Sequence, residues 1–310
     1  MPDIRIKIGT RGSPLALAQA AEVQRKLSAA WEWPASRIAI VEIKTSGDAI
    51  QDRPLSEVGG KGLFTKEIES ALLDGTVDVA VHSMKDLETQ MPVGLALASV
   101  LEREDVRDAF ISEKYASLAA MPAGAVVGTS SLRRRAQLKN VRPDLRVVEF
   151  RGNVQTRLRK LRDGIADATF LACAGLRRLD REDVIRSPIS VEDMLPAVAQ
   201  GAIALQIRSD DAETRRVTEP LNHETSEICT TVERAFLAKL DGSCRTPIAG
   251  LARLYDDQIT FRGQILRPDG SERLDTEHSG PVDAAVTMAE AAADDLLGRA
   301  GTGFFDGTTS

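Results

Sequence analysis

Short β-branched runs alternate with longer stretches of helical periodicity through the first two thirds of the chain. The runs that read as strands lie at 4–8, 38–43, 77–82, 126–127, 146–150, 168–172 and 202–207. The stretches that read as helices lie at 14–30, 63–73, 132–139 and 154–162. Ser13 is the expected N-cap of the first helix, with Pro14 at its first position. Strands that alternate with helices predict an α/β architecture.

The pattern changes after about Glu224. A helix at 226–240 is followed by two strand-like runs, 248–255 and 258–266, that Asp256 and Asp257 join. An alanine-rich helix at 282–297 comes next. Helix, hairpin and helix together predict a small α+β domain at the C-terminal end.

Two segments of the chain repeat one local pattern. Gly9-Thr10 and Gly128-Thr129 each follow a strand and precede small polar residues and a helix. This repeat predicts two similar α/β domains, the first built from 1–101 and 202–220 and the second from 106–196. The segment 195–201 would then be a linker that returns to the first sheet, and 224–310 would form the third domain.

Composition is that of a globular protein, with 43% hydrophobic and 28% charged residues among 310. The longest apolar runs fall far short of the roughly 20 residues that a spanning helix needs. The first residues alternate like a strand and lack the apolar core of a signal peptide, so we expect a cytoplasmic protein. Three widely spaced cysteines and three scattered histidines predict neither a disulfide framework nor a metal site.

Charge is unevenly distributed along the chain. The net charge is −6, yet the segment 128–162 holds eleven lysines and arginines against two acidic residues. A cationic zone in an acidic protein favours a focused anion site. The other interpretation is a solvated basic helix face. Nucleic-acid binding is disfavoured because aromatic residues for base stacking make up only 4% of the chain.

The basic segment combines arginines with a helix start. Gly128-Thr129-Ser130-Ser131 opens the helix at 132–139, whose first turn points free N–H groups and a positive dipole end outward. Arg133 and Arg134 follow directly, and a guanidinium binds a carboxylate through two hydrogen bonds. This set of groups suits a ligand with several carboxylates or phosphates.

Three further features have chemical content. Asp86, beside Lys85, follows an apolar strand, where α/β sheets bind ligands, although a surface ion pair is equally consistent with these residues. His82, at the end of the same strand, more often has a structural role. The glycine-rich run 59–62 predicts a flexible hinge or lid with a lysine, because it departs from the phosphate-loop pattern.

Cys244 is the cysteine with a reactive setting. Gly242 and Ser243 precede it, Arg245 follows it, and Pro247 forbids a regular helix just beyond. The arginine favours the nucleophilic thiolate. From these residues alone, an ordinary free cysteine in a turn is the commoner interpretation.

Eight motifs together resemble the porphobilinogen deaminase family from Ile8 to about Gly250. They are GTRGSPLALAQ (9–19), GGKGLFTKEIE (59–69), AVHSMKD (80–86), GTSSLRRRAQL (128–138), RGNVQTRL (151–158), AGLRRL (174–179), AQGAIAL (199–205) and GSCRTPIAG (242–250). Their order and spacing follow the family pattern, so the combination is highly specific.

The resemblance implies a fold and an activity. Two similar α/β domains of the type II periplasmic-binding-protein kind would flank a cleft, and a small α+β domain would bear Cys244. That cysteine would hold a dipyrromethane cofactor through a thioether. The enzyme, a transferase of tetrapyrrole and heme biosynthesis, would add porphobilinogen units head to tail with loss of ammonia. It would then release the linear tetrapyrrole hydroxymethylbilane by hydrolysis.

The resemblance also assigns residues to roles. Asp86 matches the catalytic aspartate. The residues that match cofactor-binding positions are Cys244, Ser83, Lys85, Asp86, Thr129, Ser130, Ser131, Arg133, Arg134, Arg151 and Gly152. The residues that match substrate-binding positions are Arg11, Ser13, Gln19, Lys61, Phe64, Arg151, Arg157, Ala172, Arg178 and Gln200. Cys173 and Cys229 match no such position, and no metal is implied.

Two other classes of function are open to the same residues. A two-domain anion-binding protein of periplasmic-binding fold would use the arginines for reversible capture. An RNA-binding protein would use the segment 128–162 and would show a steep salt dependence. The expected partner is porphobilinogen alone, with no nucleic acid, no membrane and a monomeric chain.

Overall fold

The structure is a computed structural model that describes residues 4–49, 64–240, 242 and 246–306. The strands in this part of the chain are β1 (Ile6–Arg11), β2 (Ile38–Ile43), β3 (Val79–Ser83), β4 (Leu95–Val100), β5 (Asp108–Ile111), β6 (Val126–Gly128), β7 (Arg146–Val148), β8 (Ala168–Ala172), β9 (Ser187–Pro188), β10 (Ile203–Arg208), β11 (Ile248–Tyr255), β12 (Gln258–Leu266) and β13 (Arg273–Pro281). The α-helices in it are α1 (Pro14–Trp31), α2 (Ser46–Ala49), α3 (Lys66–Leu73), α4 (Leu132–Val141), α5 (Val154–Arg162), α6 (Cys173–Arg177), α7 (Ala212–Thr218), α8 (Glu224–Lys239) and α9 (Ala285–Ala300).

Two five-stranded sheets have the same topology. The first has the order β2-β1-β3-β10-β4, and the second has the order β7-β6-β8-β5-β9. In each sheet the first three strands are parallel, and the fourth runs antiparallel to its neighbours. β1 contains Gly9-Thr10 and β6 ends at Gly128, so the two repeated Gly-Thr pairs lie on strands that occupy equivalent positions. The predicted pair of similar α/β folds is confirmed.

Helix α1 shows how the sequence sets the first of these sheets. The Ser13 hydroxyl accepts a hydrogen bond from the backbone N–H of Ala16 at 3.3 Å, which caps the helix. Ala20, Val23 and Leu27 follow at intervals of three and four residues and are fully buried. They pack with the inward side chains of β1, β3 and β10 in one core. The helix therefore covers one face of a largely parallel sheet.

The C-terminal part is a three-stranded antiparallel sheet with the order β11-β12-β13. Helices α8 and α9 pack against it around the rings of Phe236 and Phe261, whose centroids are 4.9 Å apart. The sequence pattern predicted a two-stranded hairpin here. The third strand, β13, is mostly exposed and polar, so it lacks the apolar alternation by which a strand is recognised. The predicted small α+β fold is nevertheless confirmed.

The chain divides into two compact units. Of the described residues, one comprises 4–49, 64–104 and 201–227, and the other comprises 105–200 and those within 228–306. The second sheet and the C-terminal sheet thus belong to one unit. The three domain boundaries expected from the sequence stay a prediction. None of the helices in the described part of the chain has both the length and the apolar character of a membrane span.

Candidate active site

The first group of predicted site residues lies at the carboxyl ends of β1 and β3. These strands are parallel neighbours, so Arg11 at the end of one and Ser83 at the end of the other share an edge of the sheet. A single 3₁₀ turn, Met84–Asp86, follows β3 and exposes the side chain of Asp86. Lys85 lies in the same turn and is half-buried. The sequence prediction that Asp86 follows a buried strand is confirmed.

Hydrogen bonds and a ring contact hold this edge together. The Gln19 amide, on the buried face of α1, donates to the Ser83 hydroxyl at 2.9 Å. The Arg11 guanidinium lies 4.2 Å from the centre of the Phe64 ring, a cation–π contact. The site residues that line one pocket here are Arg11, Ser13, Gln19, Phe64, Ser83 and Asp86. Six residues singled out from separate motifs are thus brought together.

His82 also lines this pocket, but a buried polar network accounts for it. Its Nε2 lies 3.1 Å from the side-chain oxygen of Gln206, whose amide nitrogen donates to Glu69 at 3.1 Å. Because the Glu69 carboxylate only accepts, the Gln206 oxygen faces His82, and Nε2 carries the proton. Burial lowers the pKa of His82 to about 4, so the ring is neutral at physiological pH. These contacts agree with the structural role that the sequence favoured.

The second group of site residues surrounds the start of α4. The Ser131 hydroxyl caps this helix by accepting from the Arg134 N–H at 3.4 Å. The Thr129 hydroxyl accepts from the Ser131 N–H at 3.2 Å, and the Ser130 hydroxyl accepts from the Phe150 N–H at 3.0 Å. The turn 129–131 is therefore fixed by its own hydroxyl groups, at the positive end of a ten-residue helix.

Arg133 and Arg134 do not lie on the surface. Both are 5% exposed, and each donates to one carboxylate oxygen of Asp108 at 2.7 Å. Their other terminal nitrogens donate to the backbone oxygens of Leu195 and Phe170. The Nε atom of each arginine is buried without a partner among the described residues. Two cations against one anion leave a positive charge in excess at the start of α4.

Asp108 is a buried residue of this network that sequence reasoning missed. It begins β5 and is fully buried. Burial alone would raise the pKa of its carboxyl, but the charges of Arg133 and Arg134 outweigh burial and hold the pKa well below its ordinary value. The only signal in the sequence is a charged residue at the head of an apolar run, Asp-Ala-Phe-Ile. That signal does not say which cations the chain brings to it.

Gln200 belongs to the same network. Its side chain is fully buried, and its amide nitrogen donates to Asp108 at 2.9 Å and to the backbone oxygen of Val106 at 2.8 Å. The resemblance places Gln200 among substrate-binding residues. In the structure, Gln200 donates to the Asp108 carboxylate, which also accepts from Arg133 and Arg134.

Arg151 has a guanidinium nitrogen that makes no hydrogen bond to the described residues. It is half-buried, and its Nη1 atom is buried with no partner in the described residues. Gly152, which follows, has a φ of +117°, and a Cβ there would lie 2.6 Å from the Thr156 side chain. Its carbonyl accepts from Arg157 Nε at 2.8 Å. Only glycine fits this turn, which sets the direction of the arginines on either side.

The remaining predicted residues divide by position. Ala172 is the last residue of β8, and α6 begins at the next residue. Arg178 follows the end of α6 and is half-buried. Lys61 and Cys244 lie outside the described residues. Within the described ranges, no group of three or more His, Cys, Asp or Glu side chains is arranged to hold a metal ion.

Family models match almost all of this chain. The model of the porphobilinogen deaminase dipyrromethane cofactor-binding domain matches residues 6–216, and that of the porphobilinogen deaminase C-terminal domain matches residues 227–298. The chain belongs to the porphobilinogen deaminase family. The resemblance seen in its motifs is thereby confirmed.

Curated relatives of that family match over nearly their full length. The porphobilinogen deaminase of Paracoccus denitrificans is 56% identical over 99% of this chain and 98% of its own. That of Nitrobacter winogradskyi is 54% identical over 98% and 96%. The chloroplastic porphobilinogen deaminase of Oryza sativa is 54% identical over 97% and 86%.

Solved structures of other proteins are more distant. The methionine-binding protein MetQ has a TM-score of 0.44 and 13% identity, over 70% of this chain and 88% of its own. The VFT2 domain of Bordetella pertussis BvgS has a TM-score of 0.42 and 15% identity, over 70% and 86%.

Family membership gives the activity and the cofactor. The enzyme condenses porphobilinogen head to tail, with loss of ammonia, on a dipyrromethane primer and releases hydroxymethylbilane by hydrolysis. It is a transferase of tetrapyrrole and heme biosynthesis.

Proposed function

We propose that Asp86 is the carboxylate that serves the reacting pyrrole. Its exposed side chain lines a pocket with Gln19, Ser83 and Arg11, and this grouping is the observation that carries the proposal. A carboxylate accepts hydrogen bonds from pyrrole N–H groups. It also stabilises a positive charge that develops beside it.

The charge arises when porphobilinogen loses ammonia. The aminomethyl group is protonated at neutral pH, so when its carbon–nitrogen bond breaks, the electron pair leaves with neutral ammonia. The positive charge left on the substrate spreads to the pyrrole nitrogen, whose N–H then donates more strongly to Asp86. A group that binds the transition state more tightly than the ground state raises the rate.

The arginines would bind the acetate and propionate arms of the pyrroles. Arg11 lines the pocket with Asp86, and we propose Arg151, Arg157 and Arg178 for the same task. The Nη1 of Arg151 has no partner in the part of the chain that the structure describes. This supports the role, because a buried donor without a partner is costly unless a ligand satisfies it.

The residues around α4 fit a primer that carries carboxylates. Excess positive charge, two Nε atoms without a partner among the described residues and the positive end of a helix all favour an anion there. The residues that would hold the primer are Thr129, Ser130, Ser131, Arg133, Arg134, Arg151 and Gly152, with Ser83, Lys85 and Asp86, and Cys244 would form the thioether. When bound, the dipyrromethane supplies the pyrrole carbon to which new units are added.

Lys61 and Phe64 would cover the bound substrate, with Ser13, Gln19, Ala172 and Gln200 shaping its surroundings. We also propose that the enzyme works in the cytoplasm as a monomer, without nucleic acid. Cys173 is a buried free thiol, which suits a reducing compartment. Burial of Arg133 and Arg134 removes two cations of the basic segment from any surface that RNA would contact.

Replacing Asp86 tests the central role. We expect Asp86→Asn to slow ammonia release from porphobilinogen by roughly 10²-fold or more, as loss of one preorganised charge does. Asp74→Asn, at the exposed end of α3, is the control and should keep the parent rate. Circular dichroism checks that both variants fold. A folded Asp86→Asn enzyme with a near-normal rate would refute the assignment.

A further inference from the structure

The turn between β12 and β13, residues 267–272, is braced by its own groups. Arg267 and Glu272 are joined by a backbone hydrogen bond of 2.9 Å and a side-chain ion pair of 2.8 Å. The Gly270 N–H donates to the Arg267 carbonyl at 2.9 Å, and Pro268 fixes a backbone angle between them. We call residues 267–272 the docking turn.

Gly270 of the docking turn is buried against α4, although Asp269 and Ser271 beside it are exposed. A Cβ on Gly270 would lie 2.6 Å from Lys139 Cβ, and 2.7 Å and 2.8 Å from the Ala136 oxygen and the Asn140 nitrogen of the helix backbone. Helix backbone cannot move aside as a side chain can. Glycine is therefore required here by close contact as well as by its φ of +79°.

A hydrogen bond specifies this contact further. The Asn140 amide donates to the Gly270 carbonyl at 2.9 Å. Asn140 lies near the end of α4, eight residues along the chain from its start at Leu132. The docking turn therefore contacts the last turns of α4, and Arg133 and Arg134 lie in the first turn of the same helix.

The same helix has a second link to the C-terminal sheet. Gln137 and Leu195 exchange two hydrogen bonds, of 2.9 Å and 2.8 Å. Leu195 packs in a buried cluster with Ala249 and Leu251 of β11. Within the second compact unit, α4 is thus held to the C-terminal sheet at two places along its length.

We propose that the docking turn positions α4 for primer binding. It sets the helix start, with its excess positive charge, at a fixed place relative to the C-terminal fold that contains Cys244. This role rests on the proposed attachment of the primer at Cys244. The primer would be attached at Cys244 and would be bound by positive charge at the start of α4. It therefore needs these two parts of the chain in one fixed arrangement. Gly270 and Asn140 are positioning residues, which act through Arg133 and Arg134.

Three variants separate docking from backbone strain. Gly270→Ala adds a methyl group against the helix backbone. Gly124→Ala is the matched control, because Gly124 has a φ of +78° and no atom lies within 4 Å of its added Cβ. Asn140→Ala removes only the hydrogen bond to the Gly270 carbonyl. If Gly270→Ala does not fold, Asn140→Ala is the variant that tests docking.

Hydrogen exchange tests docking without the primer. All variants are made in a Cys244→Ser background, and backbone amide exchange is followed by mass spectrometry over peptides that cover 132–141. We expect Gly270→Ala to speed exchange there at least tenfold, Asn140→Ala to speed it less, and Gly124→Ala to leave it unchanged. Equal exchange in all three would overturn the proposal.

Primer loading tests the positioning role. Chains with Cys244 intact, prepared without the primer, are incubated with limiting porphobilinogen, and the gain in intact mass is timed. We expect loading at least tenfold slower for folded Gly270→Ala than for Gly124→Ala, and less difference at saturating substrate. Equal loading, despite faster exchange at α4, would show a purely structural turn and overturn the proposal.

The two arms also separate this inference from the proposed function. If the parent chain gains no mass from porphobilinogen, the assigned role of Cys244 fails, and with it the positioning of a primer. The exchange experiment would still decide whether the docking turn holds α4.

Discussion

At the scale of single residues, hydrogen-bond partners divide the polar groups of the candidate site into those that face solvent or have no described partner and those that are bonded inside the protein. Asp86 is exposed, and the buried Nη1 of Arg151 has no partner among the described residues. In contrast, His82 is hydrogen-bonded to Gln206, and Gln200 donates to Asp108, in buried networks. The family motifs contain Asp86, Arg151, His82 and Gln200, whereas Asp108 lies outside them. The sequence favours a structural role for His82, but it does not reveal the partner, because Gln206 lies 124 positions further along the chain.

The pH dependence of stability tests the network around His82. Its folded pKa of about 4 lies below the ordinary 6.5. Between these values the unfolded chain binds a proton that the folded chain excludes, so stability falls as pH falls. We expect His82 to lower the free energy of unfolding by about 1.4 kcal/mol for each pH unit between these two values, ~3 kcal/mol in all.

Two histidine variants check this expectation by urea denaturation between pH 7 and 4.5. His82→Gln should be less stable than the parent at pH 7 but should show a shallower loss on acidification. His278→Gln, at an exposed position of β13, should keep the parent slope. An unchanged slope in His82→Gln would mean that another group is responsible.

At the scale of elements, local sequence rules place those helices and strands that have strong caps or β-branched runs. The structure has β2, β8 and α5 at the predicted bounds, and α1 begins where Ser13 and Pro14 predict. The elements missed are β4, β5, β9, β13, α2, α6 and α7. β5 is four residues long with a buried aspartate at its head, and its pairing with β8 and β9 and its ion pairs with Arg133 and Arg134 involve residues that the local sequence does not contain.

Close packing joins two of the elements that form the site. A Cβ on Gly128, at the end of β6, would lie 2.4 Å from the fully buried ring of Phe150, which precedes Arg151. We expect Gly128→Ala to lower the free energy of unfolding by ~1–3 kcal/mol, the usual effect of overpacking.

An opposite result is expected for a glycine in open space. Gly298 lies within α9, and no atom lies within 4 Å of an added Cβ. Gly298→Ala should raise stability by ~0.5–1 kcal/mol, because alanine favours the helix. Thermal and urea unfolding measure both variants. A Gly128→Ala protein as stable as the parent would show that Phe150 can move aside freely.

At the scale of the whole molecule, the repeated Gly-Thr pattern and the uneven charge have different outcomes. The repeat predicted two similar α/β folds, and the structure has two sheets of the same topology. The charge admitted two interpretations, a focused anion site and a solvated basic helix face. The anion site stays a prediction, and the solvated face describes only part of the segment. Arg133 and Arg134 are buried with Asp108, whereas Arg135, Arg159 and Arg162 are solvated on helix surfaces. A run of charge in a sequence does not reveal this division, because helical periodicity and partners decide it.

The covalent primer is the central claim of this account. Intact masses of the denatured parent protein and of a Cys244→Ser variant, both purified from cells, test it most directly. We predict that the parent exceeds its sequence mass by two linked pyrrole units and that the variant does not. A folded parent protein with an unmodified mass, still unmodified after incubation with porphobilinogen, would contradict the account.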